Sequence, residues 1–141
     1  MYTFLKSGNK YIVSTGSNTD LIGEITAFCK DQGIKCGTIT GLGAVDRLTL
    51  RYFDIVNKKY LDKEFTGQME IANLTGNIST LDGELYLHIH IVVGLSDYTA
   101  LAGHMLSGHV SVAGELVIED LGIEAKRKFD PQVGINAYDL Q

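Results

Sequence analysis

Histidine is the residue type whose placement in this sequence most directly suggests chemistry. The chain contains only four histidines, and all of them lie between His88 and His109. His88 and His90 occur in ELYLHIHIVV, where apolar and polar residues alternate as they do in a β-strand. Alternate residues of a strand project from the same face, so both imidazoles can reach one metal ion. The pair by itself is a weak indication, because two histidines also occur at this spacing by chance.

A third histidine strengthens the hypothesis of a metal site. His104 lies in the segment AGHM, which we interpret as a glycine-bearing turn that returns the side chain to the sheet. Three imidazoles would leave one tetrahedral position open. Glu115 is a candidate for that position or for accepting an imidazole N–H, and His109 shares its predicted strand face. Alternatively, the histidines only form hydrogen bonds at a subunit interface.

Other motifs indicate chemistry less strongly, and no Ser-His-Asp, Cys-His or lysine nucleophile stands out. Gly41-Leu42-Gly43 lacks the third glycine of a nucleotide loop, has Asp46 in its place and precedes a strand pattern, so we predict a β-bulge there. Arg51 lies on one face of a predicted strand, together with Arg47, and is a candidate contact for an anion. The basic run Lys126-Arg127-Lys128 is predicted to form a solvated surface.

Composition limits the class of protein. The 141 residues suit one domain, and a net charge of −5, from 12 basic and 17 acidic residues, disfavours a broad electrostatic grip on nucleic acid. Cys29 and Cys36 fit no disulfide framework or zinc knuckle, so we predict buried thiols in a reducing compartment. Lys6 and Lys10 interrupt the N-terminal segment, which is unlike a signal peptide, and no apolar run approaches a membrane span. We therefore expect a soluble, cytoplasmic protein.

Periodicity predicts one helix and a set of strands. Apolar residues recur at helical spacing from Leu21 until Gly33, and Ser17 and Asp20 have the spacing of a capping box at the start. Asp82-Gly83 is a strong hairpin signal. The predicted strands are 10–15, 36–45, 47–56, 58–65, 68–81, 84–93 and 109–118. This pattern predicts an α+β fold, a mostly antiparallel twisted sheet with one main helix packed on it.

These residues together resemble the plant and prokaryote conserved domain, the PPC domain, in its stand-alone prokaryotic form without an AT-hook. The resemblance covers nearly the whole of residues 1–141 as one domain. Its most specific element is the LHIH segment at 87–90 followed by the GHMLSG segment at 103–108. The further matching segments are GLGAV at 41–45, LRYF at 50–53, EIANLTGNI at 70–78, Asp82-Gly83, Glu115, and FDP at 129–131 with Gly134-Ile135.

The resemblance implies a homotrimer with a divalent metal, most often zinc, at His88, His90 and His104. It also implies DNA or a regulatory protein as a partner, since plant members are DNA-binding regulators. The chain departs from the family pattern at Gln68-Met69, where Arg-Phe is common, and at His109, which could add a ligand or tune the site.

Three functions remain open at this point. The first, which we favour, is a metal-binding homotrimeric DNA-binding or regulatory module. The second is a metal-dependent enzyme acting on a small carbonyl or carboxylate compound, because the fold is similar to that of acetolactate decarboxylase. The third is a structural trimer without chemistry.

Overall fold

The computed structural model describes residues 1–140 and has one helix in that range. The elements in chain order are β1 (Tyr2–Ser7), β2 (Lys10–Thr15), β3 (Thr19–Asp20), α1 (Leu21–Gln32), β4 (Gly37–Asp54), β5 (Lys59–Leu81), β6 (Glu84–Gly94), β7 (Ala100–Asp120), β8 (Lys126–Asp130) and β9 (Ile135–Asp139). The prediction of a mostly antiparallel sheet with one helix is confirmed, since only the short β5–β8 pairing is parallel. The homotrimer stays a prediction.

Helix α1 begins and ends as its local sequence dictates. The carboxylate of Asp20 accepts a hydrogen bond of 2.8 Å from the backbone N–H of Gly23, so Asp20 itself is the N-cap. The capping box expected with Ser17 as the cap is therefore wrong, because the helix begins only at Leu21. At the other end Gly33 adopts a left-handed conformation with φ of 70°, which closes the last turn as predicted. The helix buries Leu21, Ile25, Phe28 and Cys29 against the sheet.

Four strands close into a ring. Strand β4 pairs with β5, β5 with β6, β6 with β7, and β7 with β4, all in antiparallel register. This closure pairs each of the four strands on both sides along part of its length and leaves fewer free edges than an open sheet would. Strands β1 and β2 extend the sheet beyond β7, and the hairpin of β8 and β9 attaches to the end of β5.

Three strands are longer than predicted. The segments 36–45 and 47–56 form the single bent strand β4, and 58–65 and 68–81 form β5. The bends replace the expected breaks, because the register between β4 and β5 shifts at Gly41–Gly43 and at Val45–Arg47. The predicted bulge at Gly41-Leu42-Gly43 is therefore confirmed. Strands β1, β3, β8 and β9 were not predicted.

The core follows the alternation of the strands in most places. In β6, Ile89, Ile91 and Val93 are buried inside, and His88 and His90 point to the opposite face, as the two-residue period requires. Val112 was expected inside but is 64% exposed, because the register of β4 with β7 jumps between Gly43 and Val45 and interrupts the alternation. Within residues 1–140, no helix has the length and apolar character needed to cross a membrane.

Candidate metal centre and adjoining cavity

The side chains of His88, His90 and His104 come together on neighbouring strands. His88 and His90 lie on β6, and register places His104 of β7 directly opposite His90. One ring nitrogen of each histidine lies within 4.8 Å of the others. The Nε2 atoms of His88 and His90 are 3.3 Å apart.

The reason why His104 reaches this cluster differs from the one expected. The segment AGHM is an extended part of β7 and not a turn, and the hairpin between β6 and β7 lies earlier, at residues 95–99. A glycine there suggested a turn, but Gly103 instead packs against the side chain of Leu50 on β4. The cluster therefore depends on cross-strand register and not on loop geometry.

Glu115 and His109 lie elsewhere in the chain. The imidazole of His109 contacts Asp46 through Nδ1 and Oδ1, 2.6 Å apart. Glu115 is exposed and lines a different groove, next to Leu42 and Leu116. His109 follows His104 by five residues, which is about 16 Å along an extended strand. Glu115 follows it by eleven residues, or about 36 Å. Within residues 1–140, neither belongs to the histidine cluster.

The surroundings of the cluster favour neutral imidazoles. Burial lowers the pKa of His104 to about 4, and nearby positive charge at His88, His90 and Arg51 acts in the same direction. Burial also lowers the pKa of His88, with a further contribution from the Arg127 guanidinium. Neutral imidazole is the form that binds a metal ion, so these two side chains would not need to lose a proton at pH 7 to bind one.

Arg51 lies beside the cluster. Register pairs it with His104 across β4 and β7 and with Asp62 across β4 and β5. Its Nε and Nη2 donate two hydrogen bonds of 2.7 Å to the Asp62 carboxylate, and its Cζ lies 4.5 Å from the centre of the Tyr60 ring. This bidentate contact raises the pKa of Arg51 and lowers that of Asp62. The guanidinium is thus held in one orientation.

A cavity of about 320 Å³ adjoins both the histidines and Arg51. Its walls are largely aromatic and come from β4, β5, β6, β7 and β9. The lining residues are Arg51, Tyr52, Phe53, Tyr60, Tyr86, His88, His90, Gly103, His104, Ile135 and Asn136. Sequence reasoning missed Tyr60, Tyr86 and Asn136. Tyr86 could have been found, because it shares the β6 face of His88 and His90.

Arg127 departs furthest from its predicted role. It was expected on a solvated basic surface, but it is only 8% exposed. Its guanidinium donates to Ser79 Oγ, to the backbone carbonyl of Asn136 and to Asn77 Oδ1, at 2.8, 3.0 and 2.8 Å. It also lies over the ring of Tyr86, at 5.0 Å from the centroid. A local run of basic residues does not reveal this burial, because the covering hairpin and β5 are distant in sequence.

Comparison with known protein families identifies the family of this chain. The profile of the Plants and Prokaryotes Conserved domain, abbreviated PCC or PPC, matches residues 2–122. The chain belongs to this family. The match includes the three clustered histidines and Arg51, and it ends before the hairpin of β8 and β9. No curated protein matches the chain significantly.

Solved structures agree with the fold along nearly the entire chain. A candidate DNA-binding protein from Bacteroides thetaiotaomicron is 52% identical, with a TM-score of 0.96 and coverage of 99% of this chain and 97% of the other. A metal-containing protein from Archaeoglobus fulgidus is 29% identical, with a TM-score of 0.86 and coverage of 98% and 97%. A PPC protein from Pyrococcus horikoshii is 28% identical, with a TM-score of 0.86 and coverage of 100% and 96%.

The cavity of this PPC domain is completed by residues outside the family match. Ile135 and Asn136 lie on β9, and Arg127 on β8 binds the carbonyl of Asn136. The C-terminal hairpin therefore supplies one wall of the cavity and the cation behind it.

Proposed function

We propose that this PPC domain is a metal-binding protein in which His88, His90 and His104 hold a divalent ion. The observation that carries the proposal is the convergence of the three imidazoles, whose ligand atoms all lie within 4.8 Å of one another. Three residues from two strands achieve this only because the register of β6 and β7 aligns them. The metal-containing relative from Archaeoglobus fulgidus supports the proposal.

Zinc is the ion that suits this ligand set. Two nitrogens that bind Zn²⁺ at 2.0–2.1 Å in tetrahedral geometry are about 3.4 Å apart. The Nε2 atoms of His88 and His90 are separated by 3.3 Å, which fits that spacing. With three protein ligands the fourth position is free for water or a ligand, and a bound zinc ion would polarise a carbonyl or activate water there.

Metal analysis of purified protein tests the proposal. Protein prepared without chelators is expected to contain about one zinc ion per chain, and His88→Ala with His90→Ala is expected to remove it. His109→Ala is the matched control, because it deletes a histidine of the same chain outside the cluster. Equal zinc content in the double variant and in the control would contradict a metal site at these residues, provided that circular dichroism shows both proteins folded.

We propose that the biological role of the metal-binding module is DNA binding or regulation. The support is the 52% identical relative, which is described as a candidate DNA-binding protein. The net charge of −5 argues that any contact with DNA is confined to a small surface or needs a partner protein. Fluorescence anisotropy with labelled duplexes at 50 and 150 mM salt tests this role. Absence of binding at both salt concentrations would contradict direct DNA binding.

Self-association into a homotrimer is the assembly we propose. Ile12, Leu42 and Val117 are 61, 55 and 46% exposed and line one groove on the outer face of β2, β4 and β7. Contact with a second copy would remove this apolar surface from water. Light scattering of Leu42→Glu is expected to show a smaller mass than that of the unmodified protein, with Tyr98→Glu in the β6–β7 turn as the control. A monomeric unmodified protein would refute the assembly.

A metal-dependent enzyme acting on a small carbonyl or carboxylate compound is the second candidate function. The specific observation in its favour is the 320 Å³ cavity that the histidines share with Arg51. A purely structural metal site is normally closed by four protein ligands and needs no such space.

A further inference from the structure

The cavity beside the histidines combines three features that together specify a ligand. They are a guanidinium with a free edge, a buried cation without a carboxylate partner, and aromatic walls. Each feature belongs to residues outside the proposed metal ligands.

Arg51 has unused N–H donors that can bind a second carboxylate. Asp62 occupies the edge formed by Nε and Nη2, at 2.7 Å from each. Both N–H groups of Nη1 and one of Nη2 remain, and one N–H from each of these two nitrogens forms a second edge with the spacing of a carboxylate. Arg51 is one of the residues that line the cavity, and its side chain is 31% exposed. Because Asp62 and Tyr60 already hold the guanidinium, a ligand would not have to order it.

Arg127 makes the cavity favourable for an anion. Its three hydrogen-bond acceptors are neutral, and no carboxylate of residues 1–140 lies within 4.0 Å of it. A buried cation without a counter-charge favours negative charge nearby. The guanidinium lies directly behind the wall of the cavity, over Tyr86 and bonded to Asn136. A bound divalent ion would add positive charge on the same side.

The walls define the remainder of the ligand. Phe53 and Tyr60 are in contact, with ring centres 5.0 Å apart, and Tyr86 and Ile135 also face the cavity. Such walls accommodate an apolar or aromatic body. The cavity volume of about 320 Å³ lies near the lower end of small-molecule sites, which span about 300–1,000 Å³, so the cavity suits a small ligand.

We propose that this cavity binds a small 2-hydroxy or 2-oxo carboxylate with an apolar body. The carboxylate binds the free edge of Arg51, the oxygen at carbon 2 faces the histidine cluster, and the apolar body packs against Tyr60 and Tyr86. The proposal rests on the proposed metal-binding function only for the contact between the oxygen at carbon 2 and the histidine cluster. The contact with Arg51 and the apolar packing do not depend on a metal ion.

Three probe molecules separate these contacts. Mandelate carries the aromatic body, the hydroxyl and the carboxylate; 1-phenyl-1,2-ethanediol replaces the carboxylate by an alcohol; and phenylacetate lacks the hydroxyl. Calorimetric titration of the zinc-loaded protein is expected to show mandelate binding at least 10-fold more tightly than the diol. Phenylacetate is expected to bind with intermediate affinity. Removal of zinc is expected to lower the affinity for mandelate to about the affinity for phenylacetate.

Arginine variants locate the carboxylate. Arg51→Gln is expected to lower the affinity for mandelate at least 10-fold. The zinc content and the affinity for the diol are expected to stay unchanged. Arg47→Gln is the matched control, since Arg47 lies on the same strand, is exposed and does not line the cavity. It is expected to bind mandelate as the unmodified protein does.

The outcomes distinguish this inference from the proposed function. Protein that holds zinc but binds mandelate and the diol equally would overturn the carboxylate site and leave the metal site intact. Protein that holds no zinc would refute the metal site, and the preference of mandelate over the diol would still report on Arg51. If Arg51→Gln does not fold, Arg51→Lys retains the charge without the planar edge. It is expected to lose most of the mandelate affinity, and unchanged affinity in this variant would contradict the bidentate contact.

Discussion

At the scale of single residues, a side chain's partner determines its role more than its type does. His104 and His109 lie five positions apart on β7, yet His104 joins the candidate metal centre and His109 binds Asp46. Arg51 and Arg127 differ in the same way. Arg51 is oriented by a carboxylate, whereas Arg127 is buried among neutral acceptors.

The depressed pKa of His104 predicts acid sensitivity of the metal-free protein. Burial lowers the pKa from 6.5 to about 4 in the folded state, so between these values the unfolded chain binds more protons. The contribution of neutral His104 to the unfolding free energy is therefore fully present above pH 6.5 and is lost as the pH falls through 4. His88 acts in the same direction. Urea unfolding of chelator-treated protein is expected to show a midpoint that decreases from pH 7 to pH 4.

A variant isolates the contribution of His104 to this pH dependence. Glutamine does not titrate, so His104→Gln is expected to show a smaller decrease of the urea midpoint over the same pH range. An unchanged decrease would mean that other groups dominate the acid response.

At the scale of elements, the bends of the long strands position the candidate site. The register shifts between Gly41 and Arg47 bend β4, and the half that follows them carries Arg51 at the cavity while Leu48 and Leu50 remain in the core. At Gly43 the bulge brings the backbone so close to β7 that an added Cβ would lie 2.2 Å from the carbonyl oxygen of Ala113.

Gly43→Ala is therefore expected to be strongly destabilising. The backbone φ of 143° and the collision with Ala113 together predict a loss of at least about 2 kcal/mol of unfolding free energy. Gly8→Ala is the control, because its φ of 60° is also unfavourable but no atom lies within 4 Å of the added Cβ. Its expected loss is about 1 kcal/mol. Equal losses in thermal or urea unfolding would show that close approach at the bulge is unimportant.

At the scale of the whole molecule, the C-terminal hairpin is attached to the ring of strands through Arg127. The guanidinium bridges Asn77 and Ser79 of β5 to Asn136 of β9 and is enclosed by Tyr86 and Tyr138. Because β9 also lines the cavity, this one residue couples the attachment of the hairpin to the shape of the candidate ligand site.

Removal of that bridge is expected to loosen the hairpin. Arg127→Met leaves three acceptors without their donor, and we expect the unfolding free energy to fall by about 2–4 kcal/mol. Hydrogen exchange in residues 126–139 is expected to accelerate. Lys128→Met is the matched control, because its ion pair with Asp139 is largely exposed and contributes about 0.5 kcal/mol. Similar exchange in the two variants would contradict the bridging role of Arg127.

Local sequence patterns by themselves determined the helix, the hairpin at Asp82-Gly83 and the shared face of His88 and His90. These features depend on contacts within a few residues, which caps, turn residues and two-residue alternation encode directly. Only the tertiary structure decided that His104 completes the cluster, that Glu115 and His109 do not, and that Arg127 is buried. Those outcomes depend on the register between strands and on the closing of a ring by distant segments, and no local pattern contains that information.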